Sequence, residues 1–131
     1  MENQIKIIGA LLMVLSIIHI GFPKRFNWKA DLKSLSLINR QMMQVHTFFI
    51  ALVVFLMGTL CLVASVELTS THLGKIISLG LFLFWLTRLG FQLFVYSPKL
   101  WRGKTFETSV HIVFTFFWCY VTIVFFLSFL Q

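Results

Sequence analysis

The chain has 131 residues, of which 59% are hydrophobic and 11% charged, with 16 Phe, 4 Trp and a formal net charge of +7 at pH 7. A soluble domain is about half apolar and about a quarter charged, so this composition excludes a water-facing globule and points to a bilayer. The length suits a single unit, 1–131, with no second domain, and the basic excess sits in short stretches beside apolar runs, as a topology signal and not a nucleic-acid one.

The first apolar run, IKIIGALLMVLSIIHIGF, covers Ile5–Phe22. Its length suits a spanning helix over about 4–22. No small-residue cleavage site follows it, so it reads as a retained helix and not a signal peptide. Gly21 followed by Pro23 predicts its end.

The next stretch, FNWKADLKSLSLINRQMMQ, predicts a short amphipathic basic helix capped by Asn27. On a helical projection Trp28, Leu32, Leu35 and Met42 share one side, and Lys29, Lys33 and Arg40 share another. Such a segment suits the membrane interface. No Gly or Pro lies between Pro23 and Gly58. Residues 27–43 therefore either lie on the membrane or extend the second span, and both paths stay open.

The second span is expected over about 44–66, and the short segment ELTSTHLGK makes it an antiparallel neighbour of the third, at about 75–97. A second basic loop, SPKLWRGKTFE, carries Pro98 and Gly103 as breakers, Trp101 as an interfacial aromatic and Thr105 as a cap. The fourth span follows at about 106–130. The expected fold is an all-α membrane protein, four transmembrane helices in an up-down-up-down bundle. Gly58, Gly80 and Gly90 offer places for close helix contact.

The basic side chains give an orientation. Lys24, Arg25, Lys29, Lys33, Arg40, Lys99, Arg102 and Lys104 flank one side, against Lys6 and Lys75 on the other. The positive-inside rule puts both basic loops in the cytoplasm and both termini outside. The expected location is a bacterial inner (plasma) membrane, with part of the charge meeting anionic lipid headgroups. Cys61 and Cys119 differ in depth by about 9 Å at ~1.5 Å per residue. That spacing predicts two free thiols and no bridge.

Polar side chains inside spans turn away from lipid, so their spacing reports inner faces. In the run FWLTRLGFQLF and beyond, Trp85, Arg88, Gln92 and Tyr96 form one stripe at helical steps. Glu107, His111, Thr115, Trp118 and Thr122 form another. Ser16 and His19 mark the first helix; Gln44, His46 and Thr47 mark the second. His19, His46 and His111 fall within ~10 Å of the basic side at ~1.5 Å per residue. Gln92 shares that layer. Arg88, about 13 Å deep by the same count, can snorkel toward it. His72 belongs to the opposite interface.

Three readings fit this layer. It is structural; or it is a cofactor site, with His19, His46 and His111 as ligands of a transition metal or two of them holding a haem whose propionates Arg88 offsets; or Arg88 and Gln92, with His111, bind an anionic or carbonyl-bearing group of a lipid or quinone. No HxxxH or CxxC spacing supports a metal. Glu107 and His111 are spaced for an acid–base pair, but a first-turn acid stabilising its own helix is the preferred reading. Gly-rich phosphate loops and dinucleotide fingerprints are absent. The expectation is therefore a small membrane protein binding a ligand or cofactor at His19, His46, Arg88, Gln92 and His111, as a homo-oligomer or with a membrane-complex partner. The alternatives are an accessory subunit without a ligand and a small transporter or channel.

Overall fold

The computed structural model describes residues 1–25, 28–95, 103 and 105–131. Tyr96, Pro98, Lys99, Trp101, Arg102, Lys104, the expected cap Asn27 and the Trp28 side chain lie outside what is described. The elements are α1 (Glu2–Arg25), α2 (Trp28–Asp31), a 3-10 turn (Leu32–Ser34), α3 (Leu37–Val63), α4 (Ser65–Ser70), α5 (His72–Gly90), a π-helical turn (Phe91–Val95) and α6 (Thr105–Leu130). The described residues contain no strand. Four stretches are long and apolar enough to cross a membrane: Glu2–Gly21, Leu37–Val63, His72–Val95 and Thr105–Leu130. The chain is thus all-α with the helical content of an integral membrane protein. It divides into two units, Ile5–Ser65 and Met1–Gln4 with Val66–Gln131.

In the first unit α1 and α3 run antiparallel. Gly9 faces Gly58, Cys61 and Leu62, whereas Met13, one turn further along α1, faces Gly58. Buried Ile5, Ile8, Leu12, Leu15 and Ser16 form one stripe of α1, and Ala51, Val54, Gly58 and Cys61 form one stripe of α3. Both follow the three–four spacing of a single helix face. The glycines set the approach. A Cβ on Gly58 would stand 2.8 Å from the Gly9 carbonyl oxygen, and one on Gly9 would stand 2.9 Å from that of Gly58. Gly80 and Gly90, expected beside Gly58 as contact positions, have open space where a Cβ would go. Gly9, not singled out by its sequence, is the partner.

Two helix ends differ from the sequence expectation. The backbone of α1 stays helical through Gly21 and Pro23 to Arg25. Pro23 has no N–H for the His19 carbonyl, so α1 continues past it without that one hydrogen bond. The amphipathic stretch splits. The short helical turns at Trp28–Ser34 lie between the spans, and Leu35 is extended. Ser36 then caps α3, its hydroxyl accepting from the Asn39 N–H at 3.4 Å. Residues 37–43 thereby extend the second span by nearly two turns.

In the second unit α5 and α6 run antiparallel, shown by the pairs Ser78–Ser128, Trp85–Trp118 and Gln92–His111. The segment expected as a loop is largely helical, because α4 fills it. Thr71 separates α4 from α5. Its hydroxyl donates to the Glu67 carbonyl at 2.7 Å and accepts from the Gly74 N–H at 2.9 Å. This tight corner requires glycine at 74, where a Cβ would stand 2.0 Å from the Glu67 carbonyl oxygen. Below it, the Ser78 and Ser128 hydroxyls lie 3.2 Å apart and both donate to the Leu68 carbonyl at 3.5 Å. Cys61 and Cys119 are free thiols.

Because backbone blocks the added methyl at Gly58 and Gly74, Gly58→Ala should destabilise the protein by about 1–3 kcal/mol, and Gly74→Ala by at least as much. Gly80→Ala should stay within about 0.5 kcal/mol or stabilise slightly. Thermal melts in one detergent measure all three; equal melts for Gly58→Ala and Gly80→Ala would contradict the packing.

Candidate functional site

The polar stripes of α5 and α6 meet where the π turn begins. Helix α5 ends at Gly90, and the Phe91 N–H bonds back to the Arg88 and Thr87 carbonyls. The π-helical turn then carries Gln92, which is 6% exposed. A π turn inserts an extra residue per turn and is frequent at functional sites. Arg88 precedes it by less than a turn, and His111 approaches from α6.

Three side chains form a directed relay. Arg88 donates from Nη1 to Gln92 Oε1 at 3.3 Å. Gln92 Nε2 lies 2.9 Å from His111 Nδ1 and donates also to the His111 carbonyl at 3.4 Å. The direction follows from donor chemistry. A guanidinium has only donors, so it selects the amide oxygen and turns the amide nitrogen toward His111. An amide NH2 is also only a donor, so His111 Nδ1 must accept. The imidazole is then neutral with its proton on Nε2, which makes Nε2 a donor. The Thr115 hydroxyl donates to the same His111 carbonyl at 2.7 Å.

Aromatic rings floor this relay. The Arg88 guanidinium carbon stands 5.0 Å from the centre of the Trp118 ring. Such a cation–π contact is worth about 0.5–2 kcal/mol, more as water is excluded. Trp118 stacks on Trp85 with centroids 5.0 Å apart and planes 13° apart, and Phe114 and Phe117 lie at 5.7 Å and 4.9 Å. Trp85 and Trp118 are almost fully buried. The flat guanidinium is thus held over an aromatic surface, with its edge toward Gln92.

The remaining residues of the expected cluster are placed differently. His19 is half-buried on α1, its Nδ1 2.9 Å from the Leu15 carbonyl of its own helix. His46 is exposed on α3. Both belong to the unit Ile5–Ser65, whereas Arg88, Gln92 and His111 belong to the other. Glu107 is exposed in the first turn of α6, where its charge complements the helix dipole. Among the described residues no group of three or more His, Cys, Asp or Glu side chains is placed to hold a metal ion.

The spacing of residues 85, 88, 92, 111, 118 and 122 already marked these two faces. The π turn carried no such signal, because FQLFV has no breaker. Comparison with protein-family models, with curated proteins and with solved structures finds no match to this chain.

Two measurements check the relay. The side-chain 15N–1H correlation of His111 at neutral pH should show the Nε2–H tautomer; an Nδ1–H tautomer would break the assigned direction. Gln92→Leu leaves the Arg88 donor and the His111 acceptor without this partner, and should cost about 1–3 kcal/mol in a thermal melt.

Proposed function

We propose that this protein binds the oxygen-bearing head of a membrane amphiphile, an anionic or carbonyl group, at Arg88, Gln92 and His111. The observation that carries the reading is the relay around buried Gln92, which joins the Arg88 guanidinium, the Gln92 amide and the His111 imidazole between α5 and α6. Arginine within an apolar span is costly, and such residues by default serve a ligand or an ion path. A planar guanidinium matches phosphate or carboxylate oxygens in pairs, and a neutral imidazole N–H suits a phosphate or carbonyl oxygen beside it. The same donors disfavour a bare cation, which Arg88 would repel.

On this reading the basic segments face the cytoplasm of a bacterial inner membrane, and the site opens into the inner leaflet, where anionic lipids give it a local supply. With little mass outside the membrane, the protein acts as a homo-oligomer or as a subunit that presents the ligand to a membrane partner. Haem or metal ligation by His19, His46 and His111 is the competing reading, and absorption and elemental measurements on the same preparation decide against it if both are blank.

The test is thermal stabilisation of the detergent-purified, delipidated chain by dioleoyl phosphatidylglycerol. At a concentration about 100-fold above the dissociation constant, the wild type should gain roughly 5 °C or more. Arg88→Gln should keep its helical circular dichroism and lose most of that gain. An Arg88→Gln protein stabilised as much as the wild type would sink the proposal.

A further inference from the structure

Beyond the relay, the α5·α6 seam holds donors that meet no acceptor among the described residues. Trp85 Nε1, Trp118 Nε1 and Thr122 Oγ1 are buried atoms without a hydrogen-bond partner among the described residues. Their residues are 2%, 3% and 5% exposed. Buried polar hydrogens nearly always find an acceptor, and each one left over calls for an explanation. The two indoles belong to stacked rings on facing helices, and Thr122 lies one turn beyond Trp118 on the same face of α6.

Thr122 is the most telling of the three. A threonine in an apolar helix ordinarily satisfies its hydroxyl on the carbonyl one turn back. Here Thr47, Thr59, Thr87 and Thr115 all do so, at 2.9, 2.9, 2.8 and 2.7 Å. Thr122 has the same local option in the same kind of helix and does not take it. Its orphaned hydroxyl is independent of the two indoles, and it lies on the same seam.

We infer that these donors form a second, deeper subsite that receives an uncharged oxygen acceptor of the amphiphile whose head binds Arg88. The inference rests on the reading under Proposed function. The two subsites are close: the guanidinium carbon is 5.0 Å from the Trp118 ring centre. A ligand fitting both carries one oxygen function for Arg88 and a carbonyl oxygen a few bonds away. An acyl-ester phospholipid has this pattern, with phosphate above and ester carbonyls below. A benzoquinone has it too, with two carbonyls across one ring. The shared chemistry is a head oxygen followed by an uncharged carbonyl. The three donor atoms are covered by the surrounding protein.

The test uses the full chain, delipidated in detergent, with Trp118→Phe, Trp85→Phe and Thr122→Val. Each removes a donor and keeps most of the volume. Without ligand, Thr122→Val, which is nearly isosteric, should melt at or above the wild-type temperature, because a donor without a partner costs stability. A clear fall would show that the hydroxyl already has a partner within the protein and would overturn the inference. The indole variants, which also lose packing, are read only by their ligand response. Three probes follow: dioleoyl phosphatidylglycerol, its dialkyl-ether counterpart without ester carbonyls, and a short-chain benzoquinone. In the wild type, the ester lipid should raise the melting temperature more than the ether lipid if an acyl lipid is the source. The benzoquinone should do so if a quinone is. In the variants the excess over the ether lipid should disappear. Variants that keep the full wild-type shift, or a wild type that responds equally to ester and ether lipids and not to the quinone, would overturn the deeper subsite while leaving the Arg88 head site standing. A wild type that responds to none of the three probes overturns both readings. Thr122→Val, the smallest change, keeps the test decisive if an indole variant fails to fold.

Discussion

In a chain that is 59% hydrophobic, the cost of leaving a polar group without a partner in lipid governs the rest of the structure. Lipid offers no hydrogen bonds, so the backbone closes on itself as helices. The short hydroxyl side chains do the same on a small scale: Ser16, Thr47, Thr59, Thr87, Ser109 and Thr115 all return to a carbonyl of their own helix. His19 does likewise through its ring. Arg88, Gln92, His111 and the two buried tryptophans, too large or too charged for this local solution, gather on one seam between α5 and α6. Their grouping follows from the constraint before any ligand is invoked.

Within that seam the order of donors is fixed from one end. Arg88 can only donate, so the Gln92 amide has one orientation and His111 one tautomer. The consequence is a site that offers hydrogens and withholds lone pairs. The proposed recognition of an oxygen-rich group uses those hydrogens. The buried N–H groups of Trp85 and Trp118 and the hydroxyl of Thr122 continue the same polarity deeper into the helix pair.

Much of this was legible in the sequence, for a reason specific to membranes. Four apolar runs of spanning length leave little choice of fold, and helical spacing among rare polar residues reports shared faces: Trp85, Arg88 and Gln92 of one stripe meet Trp118 and His111 of the other, whereas Glu107 is exposed and Tyr96 lies outside the described residues. The depth count was less informative. It gave His19, His46 and His111 a common level, but depth does not fix rotation about a helix axis. His46 is exposed, and His19 turns to its own backbone. Other features rest on contacts between distant residues. The Gly9–Gly58 approach depends on which helices touch, and Gly74 matters because α4 folds back to put the Glu67 carbonyl over it. The helical backbone runs on through Gly21 and Pro23 to Arg25, two residues past those breakers. The split of the basic segment at Ser36 depended on one capping hydroxyl, competing with an uninterrupted helical sequence.

The central claim is that the relay exists to hold an amphiphile's oxygen-bearing head, and native mass spectrometry of the protein taken from membranes in mild detergent tests it most directly. The account predicts one retained amphiphile per chain in the wild type, identified by fragmentation as carrying a phosphate, carboxylate or quinone head, and its loss in Arg88→Gln at unchanged fold. A bare chain mass for both proteins, or an adduct of haem or metal that depends on the histidines and not on Arg88, would contradict it.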